Sequence, residues 1–178
     1  MNETKPIVIK TLCVALTILL NVNVWVGQGS ANTDVNLSQF NSLKNLISIG
    51  FVNIKEEKVL CATRSKNLTE LKEKLLTMYC EVSTIMGYRE IPNNIKIFIL
   101  GSAHDLDNYR LGLRGCHKKG IIKIPINNIN TSTLPHEIAH HIMWYNHNKV
   151  SKSVSEFVAK EIGWQYRRRL RSINTKKR

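Results

Sequence analysis

Five consecutive residues, His136-Glu137-Ile138-Ala139-His140, combine two imidazoles and a carboxylate at a spacing that can do chemistry. On a helix, residues four apart lie on the same face with Cβ atoms about 5–6 Å apart. Both imidazoles can then reach one Zn²⁺ at about 2.0–2.1 Å. Glu137, one position on, is turned partly off that face but can reach a water beside the ion. A metal lowers the pKa of such a water toward neutrality, and a carboxylate can take its proton as it attacks a carbonyl. Together these residues suit metal-assisted hydrolysis of an amide bond, with Glu137 as general base.

A zinc site of this kind needs a third protein ligand, and the sequence restricts the choice. No Asp follows Asp107 and no Cys follows Cys116. Downstream of the motif the candidates are His147, Glu156 and Glu161. Metzincins continue with Gly three positions after the second His and a further His three beyond that, whereas this chain has Met143 and Asn146 there. That leaves a glutamate on the following helix, 16 or 21 positions after His140 for Glu156 or Glu161. Glu156, Ala159 and Gly163 fall near one helical face, where small residues permit close packing on the metal helix. Glu161 sits among Val154, Phe157, Val158 and Ile162, where a buried carboxylate would need a partner. Glu156 is preferred and Glu161 stays open.

His136-Glu137-Ile138-Ala139-His140 followed by Ser155-Glu156-Phe157-Val158-Ala159 resembles the gluzincin metallopeptidases, the thermolysin-like and aminopeptidase-like clan, over roughly residues 95–165. The resemblance implies Zn²⁺ held by His136, His140 and Glu156, in a Glu-x-x-Ala pattern, with a peptide or protein as substrate. It also implies a small zincin-like α+β domain, with a short mixed sheet packed on an active-site helix and a glutamate-bearing helix after it. Residues 122–125 become the cleft-edge strand that pairs with an extended peptide. His141 beside the motif is expected in packing or behind the ligands. Tyr145 and Tyr166 are candidates for oxyanion stabilisation, with no spacing that selects either. Two rivals stand beside this reading: a deformylase-like hydrolase using Cys116, and a catalytically inactive domain of the same fold that binds through its basic tail. The intact Glu137 speaks against the second.

The elements that must position these groups are legible from periodicity. Residues 51–63, rich in Val, Ile and Lys, predict one or two strands, with 58–62 the clearest. Leu68, Leu71, Leu75, Met78, Tyr79 and Val82 recur at three- and four-residue intervals and predict a helix over 67–88, capped by Asn67. Strands are predicted at 95–100 and 121–125, separated by a long polar loop containing Gly101, Gly112, Gly115 and Gly120. Helices follow at 134–145, capped by Thr131, Ser132 or Thr133, and at 153–171.

The 178 residues are 43% hydrophobic, enough for one domain with a core, and nothing marks the chain as disordered, fibrous or repetitive. Residues 1–31 read as a signal peptide or N-terminal membrane anchor. Lys5 and Lys10 supply positive charge, an apolar run spans 11–26, and Gly27, Gly29, Ser30 and Ala31 follow. The domain then occupies 32–172, with a basic tail at 173–178. A secreted or extracytoplasmic monomer is expected, in which Cys61, Cys80 and Cys116 are open to pairing. The formal charge of +13 favours anionic partners, and Arg167, Arg168, Arg169 and Arg171 concentrate it on the last helix.

Overall fold

A computed structural model describes residues 46–88, 91–106, 114–146 and 150–175; the stretch 1–31 expected to be a signal peptide or anchor, the lead-in to residue 45, Asp107, His147 and residues 176–178 lie outside them. The described chain is a small α+β domain. Strand β1 (Ile47–Val52) is followed by helices α1 (Glu56–Thr63) and α2 (Leu68–Ile85), then strands β2 (Ile95–Leu100), β3 (Cys116–Lys118) and β4 (Ile121–Pro125), and finally helices α3 (Thr133–Tyr145) and α4 (Lys152–Thr175). The four strands form one mixed sheet in the order β1-β2-β4-β3. The first three run parallel, with Ile97 opposite Ile49 on one side and Ile122 on the other, and β3 is antiparallel to β4.

The sheet owes its core face to alternation along β2 and β4. Ile95, Ile97 and Ile99 of β2 are buried while Lys96 between them is exposed, and Ile122 and Ile124 of β4 join them. Helix α2 contributes Leu71, Leu75, Leu76, Tyr79 and Val82 to the same core. Its start is fixed by Asn67, whose side chain accepts the Glu70 N–H at 2.9 Å, a cap worth about 1 kcal/mol. Helix α3 is buried on most sides by β3, β4, α2 and α4, so Leu134, Ile138, Ala139, Ile142 and Met143 all lose their solvent exposure. Helix α4 packs chiefly on α3 through Val158, Ala159 and Ile162.

Gly163 sets how closely those two helices meet. A Cβ there would stand 2.6 Å from the Ser132 carbonyl oxygen and 3.4 Å from the His136 Cβ, so the start of α3 and the middle of α4 touch backbone to backbone. Glu156, two turns earlier on α4, is thereby carried to the level of His136 and His140.

Three expectations need correction. Residues 58–62 form part of helix α1 rather than a strand: Glu56 and Glu57 occupy its first turn, where negative charge meets the helix dipole, and Leu60 and Ala62 are good helix formers. The helix stops at Arg64 in the left-handed conformation, with Ser65 N–H donating to the Leu60 carbonyl at 2.9 Å. The long polar loop contains strand β3, joined to β4 by Lys119-Gly120. Both turn residues have positive φ (51° and 76°), the conformation whose twist matches a tight hairpin. β4 is consequently an interior strand, and the sheet edge on that side is β3, not residues 122–125. The last helix also runs further than predicted, to Thr175.

Candidate metal centre

The first helical turn of α3 follows Ser132, whose own side chain makes no capping bond; Thr131 Oγ1 instead accepts the Thr133 N–H at 3.1 Å. From that start the helix places His136 and His140 one turn apart on the side facing α4. Their Nε2 atoms are 3.2 Å from each other. Glu156 reaches across from α4, with Oε2 3.5 Å from His136 Nε2 and Oε1 3.5 Å from His140 Nε2. Among the described residues, these three form a group whose ligand atoms all lie within 4.8 Å of one another and could hold a metal ion. Ligands set tetrahedrally around an ion at about 2.0–2.1 Å stand about 3.3–3.4 Å apart. The observed 3.2–3.5 Å separations therefore fit a shared cation, with two nitrogens and a carboxylate oxygen as donors.

Both histidines are held below their ordinary pKa, chiefly because burial disfavours the imidazolium. The Glu156 carboxylate pulls each the other way. Neutral imidazole is the form that binds a metal. His140 is also tethered from behind: its Nδ1 lies 2.9 Å from Ser155 Oγ. With a metal on Nε2, Nδ1–H would donate to that hydroxyl, which would fix the tautomer and the ring plane. Ser155→Ala is expected to weaken metal affinity by about 10–100-fold without unfolding the domain, checked by competition against a chelating dye.

Glu137 is buried, only 6% exposed, on the same helix. Burial is the main reason its carboxyl is pushed up to about 8, and the negative charge of Glu156 adds to the rise. The backbone N–H of His117, on β3, donates to the carboxylate and opposes it. The buried Gly115 lets the chain pass close to this group: a Cβ there would stand 3.0 Å from both Glu137 Cγ and Oε1.

The other residues singled out by sequence fall elsewhere. Glu161 is on α4 and its Oε1 accepts Gln165 Nε2 at 3.4 Å, outside the cluster. Cys116 lies on β3 and is not one of the clustered ligands, and no disulfide joins it to Cys61 or Cys80. Tyr166 is buried with its hydroxyl bonded to Glu81 of α2, a packing role. Tyr145, the last residue of α3, lies near Tyr79.

His141 faces away from the cluster into the core, with Nδ1 2.8 Å from the Tyr79 hydroxyl. Its ring meets His117 and Trp144 with centroids 5.3 and 5.7 Å away. Burial holds both His117 and His141 down to about 4. This aromatic stack ties β3, α2 and the end of α3 together behind Glu137.

No family model matches the chain, and neither the curated proteins nor the solved structures contain a match to it. The geometry of the cluster itself must carry the functional reading.

Proposed function

We propose that the domain is a zincin-like zinc peptidase of the gluzincin type, hydrolysing peptide bonds with Glu137 as general base. The observation that carries this is the convergence of His136, His140 and Glu156 from two helices at tetrahedral-edge distances, with the buried Glu137 carboxylate one residue from His136. Two imidazoles and one carboxylate make a donor set that suits zinc, and three protein ligands leave a coordination position for the reaction. When bound there, zinc would supply a Lewis acid for the scissile carbonyl and acidify the attacking water.

The remaining steps belong to the chain. His136, His140 and Glu156 would hold the ion, and Ser155 would keep His140 aimed at it. Glu137 takes a proton from the attacking water and returns it to the departing amine, which leaves as a neutral group. A cation at the cluster opposes the effects that raise Glu137, and so favours the carboxylate form that acts as base. An extended substrate would pair with β3, the edge strand whose His117 amide already faces Glu137, rather than with β4. The partly exposed Glu156 keeps the cluster within reach of a peptide from solvent.

The protein is proposed to act as an exported monomer through its 1–31 leader. No described helix is long and apolar enough to cross a membrane, and the 11–26 run lies outside the described residues.

The test is direct. The purified chain is expected to carry about one zinc, within the uncertainty of elemental analysis, and to cleave a mixed peptide library. A chelator should abolish cleavage and added zinc should restore it. Cleavage indifferent to the chelator would overturn the proposal.

A further inference from the structure

The side of α4 turned away from α3 carries an unusual combination of residues. Phe157 and Trp164 expose 59% and 54% of their surface, although aromatic side chains normally find apolar cover. They are seven positions apart, two turns of helix, and so stand in one line about 10 Å apart. Lys160, Arg167 and Arg168 are exposed on the same stripe, at steps of three or four from those aromatics. The Arg168 guanidinium lies 5.9 Å from the centre of the Trp164 ring. All five of these side chains are exposed among the described residues.

We propose that this face of α4 docks on an anionic lipid bilayer. Phe157 and Trp164 enter the headgroup region, where aromatic rings find both apolar and polar surroundings. Lys160, Arg167 and Arg168 meet lipid phosphates, in keeping with the +13 formal charge. A single convex helix suits a bilayer, which receives an amphipathic helix lying in its plane. Nucleic acid is the less favoured partner: it is typically held in a basic groove that tracks its backbone, and a lone helix face offers no such groove. Glu156 lies one turn before Lys160, at the border of the face. Docking therefore sets the metal cluster beside the headgroups, facing segments that emerge from or lie on the membrane.

The surface does not depend on the peptidase reading, and its test separates the two. The full chain is mixed with vesicles of phosphatidylcholine or of equimolar phosphatidylcholine and phosphatidylglycerol, and binding is measured by flotation. Tighter binding to the anionic vesicles, weakened by salt, is expected. Phe157→Ala with Trp164→Ala, and separately Arg167→Gln with Arg168→Gln, should each lower affinity for the anionic vesicles by about tenfold or more. All versions keep residues 1–31, so any contribution of the leader is common to them. Zinc content is measured for each, because none of the four positions touches the cluster. Lost vesicle binding with unchanged zinc supports the surface alone. Parent-like vesicle binding by both double variants would overturn it. So would tighter binding of a single-stranded oligonucleotide than of vesicles, lost in the same variants, which would assign the face to nucleic acid.

Discussion

Glu137→Gln is expected to lower peptide hydrolysis by about 10²–10⁴-fold while zinc stays bound. The amide keeps the shape of the side chain, and its oxygen can still accept the His117 N–H. It cannot accept a proton from water at any working pH. The proposed metal ligands on either side, His136 and His140, are untouched, so elemental analysis should still find the ion. A stability measurement then separates lost chemistry from lost structure. In the metal-free domain the Glu137 carboxyl is raised from 4.5 to about 8, mainly by burial. Between those values the folded chain holds a proton that the unfolded chain has released, so stability falls as pH rises across that window. Gln removes this titration. The metal-free variant should therefore melt at or above the metal-free parent at neutral pH, and the gap should close below pH 4.5. Full hydrolysis by the variant would eliminate Glu137 as base.

That outcome would also say something about why so poor a place for a carboxylate is used. A buried acid beside another acid weakens the empty domain and is tolerated where function calls for it. The nearby packing is consistent: Gly115 forgoes a side chain so that the chain can pass Glu137, and the His117 backbone is spent on its carboxylate instead of on a solvent contact.

How far this could be read from the residues alone differs between the two helices of the site. The spacing of His136 and His140 depends only on helix geometry, so their shared face was legible without tertiary structure. The preference for Glu156 over Glu161 comes from the Glu-x-x-Ala resemblance and from Ala159 and Gly163, small residues that predict close packing, and the Gly163 contact with Ser132 is the physical reason Glu156 lies level with the two histidines. Ser155 was visible in the motif, but nothing local could reveal that its hydroxyl meets His140, because that contact forms only when α4 docks on α3. Strand β3 was illegible for a related cause. Three residues carry too little alternation, and Lys119-Gly120 is a weaker turn signal than Asn-Gly. Missing β3 misplaced the sheet edge and hid the His117 amide behind Glu137. Helix α1 was misread because Val59, Leu60 and Cys61 suggested a strand while the first-turn acids, a subtler signal, decided the matter.

Removal of the proposed third ligand should have the largest effect on the metal. Glu156→Ala is expected to weaken zinc binding by more than about a hundredfold, since even loss of a group that only orients a ligand weakens affinity by about 10–100-fold. Hydrolysis should fall with it and recover only partly at high zinc, because the two remaining imidazoles cannot hold the ion in one place. Glu156→Asp should lie between: the charge is kept, but the shortened side chain cannot span the 3.5 Å gaps to both Nε2 atoms without moving α4. Gly163 already has α4 in backbone contact with α3, so little closer approach is available. Glu161→Ala is the matched control. Its carboxylate is engaged by Gln165 on its own helix, and its loss should leave zinc affinity within about twofold, a change of the size expected for an exposed side-chain contact. Competition with a chelating dye reads all three variants on one scale. If Glu156→Ala bound zinc as the parent does while Glu161→Ala did not, α4 would have to be rotated from the position seen here. The helix faces of Glu156 and Glu161 differ by more than a third of a turn, so the two results cannot be reconciled with one packing of α4.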